Sequence, residues 1–218
     1  MIRLKYTIII SGILVLLAGI FGLSKRNTYV DITKQENPLD EFEVGIFTDD
    51  LIEIVEKQEF ADLYQENSQY IVKVKCDSGI EFAHATTLQY ALVEEVYKGE
   101  GLSAGDRIAI VKGGGSLSSG SINIHFVNYM ESGKEYLVFL EERIRIPETK
   151  EIMYMPPGLI VTPVFAYDDT KESRPQSYEG DYAVTEYKNV KDYEFFAESE
   201  EGLAVLWELK RKLMEPYL

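Results

Sequence analysis

Cysteine, histidine and tryptophan are scarce in this chain, at one, two and one of 218 residues, and its 22 lysines and arginines face 37 aspartates and glutamates. Each shortage removes a class of explanation. A single thiol, Cys76, excludes an internal disulfide, so the fold must stand on packing. That thiol closes the pattern VKVKC, where a cysteine serves as a small hydrophobe; as a nucleophile it would need an activating histidine, and none is near in sequence. His84 and His125 lie 41 positions apart and form no H-x-x-x-H pair. A zinc centre needs three or four ligands in fixed geometry. No G-x-S-x-G elbow and no D-x-D-x-D-G calcium loop occurs. In Lys112–Ser116 the lysine precedes the glycines and β-formers follow, which excludes a phosphate-binding loop. No cofactor is indicated.

The deficit of cations gives a net charge of −15, and Arg3 and Lys5 are the only charges before Ser24, so the rest carries −17. Such a field repels nucleic acid and anionic lipid and suits a basic partner or divalent cations.

Long apolar runs are also missing, except one. Tyr6–Leu23, YTIIISGILVLLAGIFGL, holds no charge and is long enough to cross a hydrocarbon core of roughly 30 Å as a helix. The exit sequence IFGLSKRN is a poor signal-peptidase site, and no cysteine follows for lipidation. An uncleaved signal anchor fits best. Lys25 and Arg26 nearly balance Arg3 and Lys5, but residues 1–5 are too short to fold outside. The expectation is a single-pass cell-membrane protein with a cytoplasmic N-terminus and an extracytoplasmic domain. Its divisions are a tail (1–5), the transmembrane anchor (6–23), a juxtamembrane linker (24–48) and a domain over 49–218.

Within the domain, residues 49–65 have helical spacing that drifts near Lys57–Glu59, with Thr48 or Asp49 as cap. Strand patterns cover Tyr70–Cys76, His84–Gly99 (Leu88, Tyr90, Leu92 and Val96 on one parity), Arg107–Gly113, Ser121–Val127, Glu135–Leu140 and Val161–Tyr167. Residues 200–214 read as an amphipathic helix with Leu203, Leu206, Trp207, Leu213 and Met214 on one face. Short strands with tight glycine turns and flanking helices predict a mainly β (α+β) fold, a small antiparallel barrel with additions.

The order YIVKVK (Tyr70–Lys75), a strand closing in Val96-Tyr97-Lys98-Gly99, the turn Gly105-Asp106 and the strand Gly133–Leu140 resembles bacterial extracytoplasmic OB-fold-like domains of netrin/TIMP-like type. The likeness covers roughly residues 58–142. It implies an OB-like barrel and no particular function. The animal inhibitors of this type use an N-terminal cysteine and disulfides, which this chain lacks, so protease inhibition does not transfer.

OB-like barrels bind on one face and through their loops. The candidate partner-contact loop is therefore Gly113, Gly114, Gly115, Ser116, Ser118, Ser119 and Gly120. Tyrosines crowd the second half, at 154, 167, 178, 182, 187, 193 and 217. They suit stacking on glycans or peptides, or the covering of a sheet. Two readings follow. One is a non-catalytic binding or adaptor module, tethered by Tyr6–Leu23, whose partner is an envelope protein or a wall polymer. The alternative is a divergent cell-surface hydrolase using His84 or His125.

Overall fold

The computed structural model describes Gly19 and residues 38–83, 86–114, 120–145 and 152–218. The anchor Tyr6–Leu23, apart from Gly19, lies outside these residues, as does the linker through 37. No helix among the described residues is long and apolar enough to cross a membrane.

Strands form where β-branched and aromatic residues concentrate. In chain order they are β1 (Glu43–Gly45), β2 (Tyr70–Cys76), β3 (Glu81–Ala83), β4 (Thr86–Lys98), β5 (Arg107–Gly114), β6 (Glu135–Leu140), β7 (Glu142–Arg145), β8 (Ile152–Met155), β9 (Val164–Ala166) and β10 (Val184–Glu186). The helices are α1 (Ile52–Glu56), α2 (Gln58–Asn67) and α3 (Glu200–Met214). The drift near Lys57 is a real break: Lys57 has ψ 130° and separates α1 from α2. Thr48 precedes the opening turn without a side-chain cap; its hydroxyl bonds Asp50 instead.

The main sheet runs β7–β8–β5–β4–β2–β6–β9, with β3 added to β4, and β1 and β10 pair separately. The mainly β expectation holds, and the strands expected as a small antiparallel barrel form no closed barrel among the described residues. β5 and β8 are parallel, through Ala109↔Met153 and Ile110↔Tyr154, and the ladder stays open among the described residues. The cause is local. The chain turns at Glu141, the one residue between β6 and β7, and Glu141 N donates to Met155 O at 2.8 Å. β6 thus pairs β2, while β7 pairs β8 at the far end of the path.

Two apolar cores flank the sheet. One face packs Val72, Val74, Val93, Ile110 and Val138, and the Tyr70 and Tyr154 rings meet edge-on at 5.3 Å across it. β2 and β8 are not hydrogen-bonded to each other, so the sheet curls over this core. The other face brings Ile71, Leu137 and Phe139 against Tyr64, Leu206 and Leu209 of the helices. Covering on both faces explains the unbroken apolar run of β6, since only doubly buried strands lack alternation.

Two expectations need correction. The linker does not extend to residue 48: Leu39–Leu218 form one compact unit in which Phe42, Val44, Ile46 and Phe47 are buried. Phe47 N donates to Phe196 O at 2.9 Å, fixing this segment beside the C-terminal part of the domain. Ser121–Val127 is not a strand: His125 and Phe126 have φ of 51° and 66°, which a strand cannot contain, and only isolated bridges form there. In β4 the inward parity is Thr87, Gln89, Ala91 and Val93, with Leu88 also buried, while Leu92 is 39% exposed.

Candidate functional site

One cluster of described polar side chains is sealed, and another is open. The sealed cluster begins with β4 and β5, which direct Thr87, Gln89 and Lys112 to residues 128–130. Gln89 brackets Met130, donating to its carbonyl at 2.7 Å and accepting from its N–H at 2.8 Å. Thr87 Oγ1 lies 3.0 Å from Tyr129 Oη. Asn128 donates to the carbonyls of Lys191 and Tyr193, each at 2.7 Å, and accepts from Tyr187 Oη at 2.8 Å. Lys112 Nζ donates to Asn128 O and sits 5.8 Å from the Tyr129 ring centre. Lys112 is 2% exposed, and burial pulls its amine down to about 7. Cys76 is 1% exposed, donates to Ser78 O at 3.3 Å, and burial pushes its thiol up. A thiol held protonated and an amine without solvent access have little scope for nucleophilic attack. These bonds instead fix the irregular segment 128–130 against the sheet.

Of the candidate contact loop, Gly113 and Gly114 end β5, and Gly120 begins the return. Gly114 bridges Asn123, and Gly120 O accepts from Glu43 N at 2.7 Å. Gly113 has φ 81°, and an added Cβ would stand 2.9 Å from both Ile124 and Tyr129. That glycine answers a packing need. Gly115, Ser116, Ser118 and Ser119 lie outside the described residues, and so does His84.

His125 is half-buried in the left-handed turn. Its N–H donates to Asn123 Oδ1 at 3.0 Å and its carbonyl accepts from Thr162 N at 3.3 Å. Burial lowers its imidazole pKa, and no carboxylate bonds to it among the described residues. The same residues contain no group of three or more His, Cys, Asp or Glu able to hold a metal ion.

The open place is made of tyrosines. Tyr97 comes from β4, Tyr167 follows β9, and Tyr217 lies in the 3-10 turn Glu215–Tyr217 after α3. The Tyr97 and Tyr167 hydroxyls are 3.3 Å apart, and each lies 3.4 Å from Tyr217 O. The Tyr97 and Tyr217 rings sit 4.8 Å apart at 41°. Lys73 Nζ is 5.0 Å from the Tyr167 ring centre and is held by Glu135 at 2.6 Å. The recess encloses about 430 Å³, with Glu95 and Pro216 also on its walls. Partial burial raises the hydroxyl pKa of Tyr97 and Tyr167, so both stay protonated and present apolar ring surface with a polar handle.

The crowd of tyrosines in the sequence is thus sorted by the fold. Tyr154 and Tyr187 are core, Tyr178 and Tyr182 are exposed, and Tyr167 and Tyr217 join Tyr97. Tyr97 carries no sequence signal beyond its place at the end of a long strand. No known protein-family model matches the chain, and no curated protein aligns with it.

Proposed function

We propose that this chain is a membrane-anchored extracytoplasmic protein that works as a non-catalytic binding or adaptor module. Tyr6–Leu23 supplies the anchor, and the domain from Leu39 onward supplies the recognition surface. One observation carries the reading. The nucleophilic side chains Cys76 and Lys112 are sealed inside, while Tyr97, Tyr167 and Tyr217 line a recess open to solvent. Open aromatic faces beside hydrogen-bonding groups serve recognition rather than bond-making.

The pairing order also supports an OB-like reading. β2 pairs both β4 and β6, β4 pairs β5, β5 pairs β8, and β8 pairs β7, one residue from β6. A five-stranded, partly open Greek-key barrel has this kind of circuit. Ligands of such barrels meet one face and the adjoining loops, so the 113–120 loop stays a contact candidate beside the tyrosine recess. Fold analogy does not fix a ligand. The partner classes in keeping with an acidic domain are an envelope protein or an uncharged or basic wall polymer.

The test is in-cell crosslinking of tagged full-length protein, followed by mass spectrometry of what is captured. One reproducible envelope partner, lost with Tyr97→Ala plus Tyr217→Ala or with a shortened 113–120 loop, supports the reading. Recovery of the protein alone, together with hydrolytic activity abolished by His125→Ala or His84→Ala, contradicts it.

A further inference from the structure

A groove of about 450 Å³ runs between α1 and α3, outside the tyrosine recess. Its floor is apolar: Val55, Ala61, Ala204, Val205 and Leu209. On α3 the lining positions 201, 204, 205, 208, 209 and 212 follow helical spacing. They form one stripe over three turns, roughly 16 Å at about 1.5 Å per residue. Ala61 and Ala204 are small, so a second helix can approach to an interaxial distance of about 8–10 Å.

The rim is unevenly charged. Its two cations are engaged: Lys57 pairs with Glu53 at 3.9 Å and Lys212 with Glu208 at 3.8 Å. Glu56 and Glu201 make no ion pair with the described residues. The α1–α2 wall reinforces this, because residues 52–67 hold five carboxylates and one lysine. A long trough with apolar floor and surplus carboxylates is complementary to one kind of object. A second copy, at −15, would bring like charge to it.

We propose that the groove docks a basic amphipathic α-helix of about three turns from a partner protein, an inference that rests on the binding-module reading and names its partner's chemistry. Such a helix lays apolar residues at i, i+3, i+4 and i+7 on the floor and turns its lysines or arginines to Glu56 and Glu201.

The test uses full-length protein in detergent and a synthetic helix with leucine at i, i+3, i+4 and i+7 and lysine elsewhere. Two controls accompany it, a scrambled peptide of the same composition and one with glutamate for lysine. The patterned basic helix should bind about tenfold or more tightly than either control. Ala204→Arg, at an exposed position, should weaken it about tenfold, and Glu56→Gln with Glu201→Gln should weaken it less and reduce its salt dependence. Unchanged far-UV circular dichroism and melting confirm that the variants fold. Equal binding of the scrambled peptide, indifference to Ala204→Arg, or no binding overturns the proposal. So does self-association broken by Ala204→Arg without peptide binding, which assigns the groove to a second copy. A partner still crosslinked in cells to Ala204→Arg overturns the groove alone and leaves the binding module intact; no partner in cells strikes the module itself.

Discussion

Lys112 shows how much one side chain can cost and still be kept. Its amine, about 7 in the folded protein against 10.5 in the free side chain, is depressed by burial. The folded state therefore binds fewer protons than the unfolded one between about pH 7 and 10.5, and stability rises with pH across that window. Below pH 7 the cost is full and constant. Cys76, raised by burial, acts oppositely as pH nears its ordinary value of 9.0, and Tyr129 and Tyr187 do so near pH 10, so the clean window is pH 7 to 8. Lys112→Met is expected to stabilise the domain at pH 6 by ~1–4 kcal/mol, since apolar replacements of buried charges often do. It should also remove most of the rise between pH 7 and 8 in urea unfolding. A variant less stable than the parent at pH 6, with the rise intact, contradicts this. The partners of Lys112 are not legible in the sequence. Alternation in β4 puts Leu88, Tyr90 and Leu92 on one parity, and hydropathy gives no value to Thr87 or Gln89 on the other. They face inward because the backbone and side chains of residues 128–130 satisfy them there.

Among the elements, α3 is the easiest to read and carries the clearest structural debt to one residue. Ser199 Oγ accepts from Gly202 N at 2.9 Å, closing the first turn, and Glu200 and Glu201 add favourable charge at that end. Ser199→Ala should cost about 1 kcal/mol in chemical denaturation, and Ser199→Thr, whose hydroxyl can keep both the bond from Gly202 N and the bond to Asp49, should restore most of it. No loss on Ser199→Ala would mean the cap is redundant. The apolar stripe of α3 is visible in the sequence, but Lys210 is not separable there from its basic neighbours. It is buried with Glu194 at 2.9 Å, whereas Arg211 and Lys212 stay at the surface. β2, β4, β5 and β6 are legible because β-formers dominate each. β1, β7, β8 and β10 are three or four residues long, too short for a period to register. Residues 121–127 mislead for the opposite reason: their alternation is good, and tertiary bonds to Thr162 and Phe196 hold His125 and Phe126 in left-handed turns.

At the scale of the molecule, the sequence places a strongly acidic domain behind one apolar run, and the fold adds an open tyrosine recess and a helix-lined groove. Neither surface is legible as a site. The recess joins residues 97, 167 and 217, and the groove joins residues 55–61 to 201–212, pairings that only the tertiary fold makes. The domain begins at 39 rather than 49 because Phe42, Val44 and Phe47 are single apolar residues in a polar stretch, buried through long-range contacts. An envelope protein or a wall polymer can reach these surfaces only if the domain lies outside the cytoplasm. A membrane-impermeant maleimide applied to intact cells measures that directly. Cys76 is buried and silent, and Glu179→Cys places a thiol at an exposed position. This cysteine should be labelled in intact cells as fully as in permeabilised ones, on protein found in the membrane fraction. Labelling only after permeabilisation would contradict it.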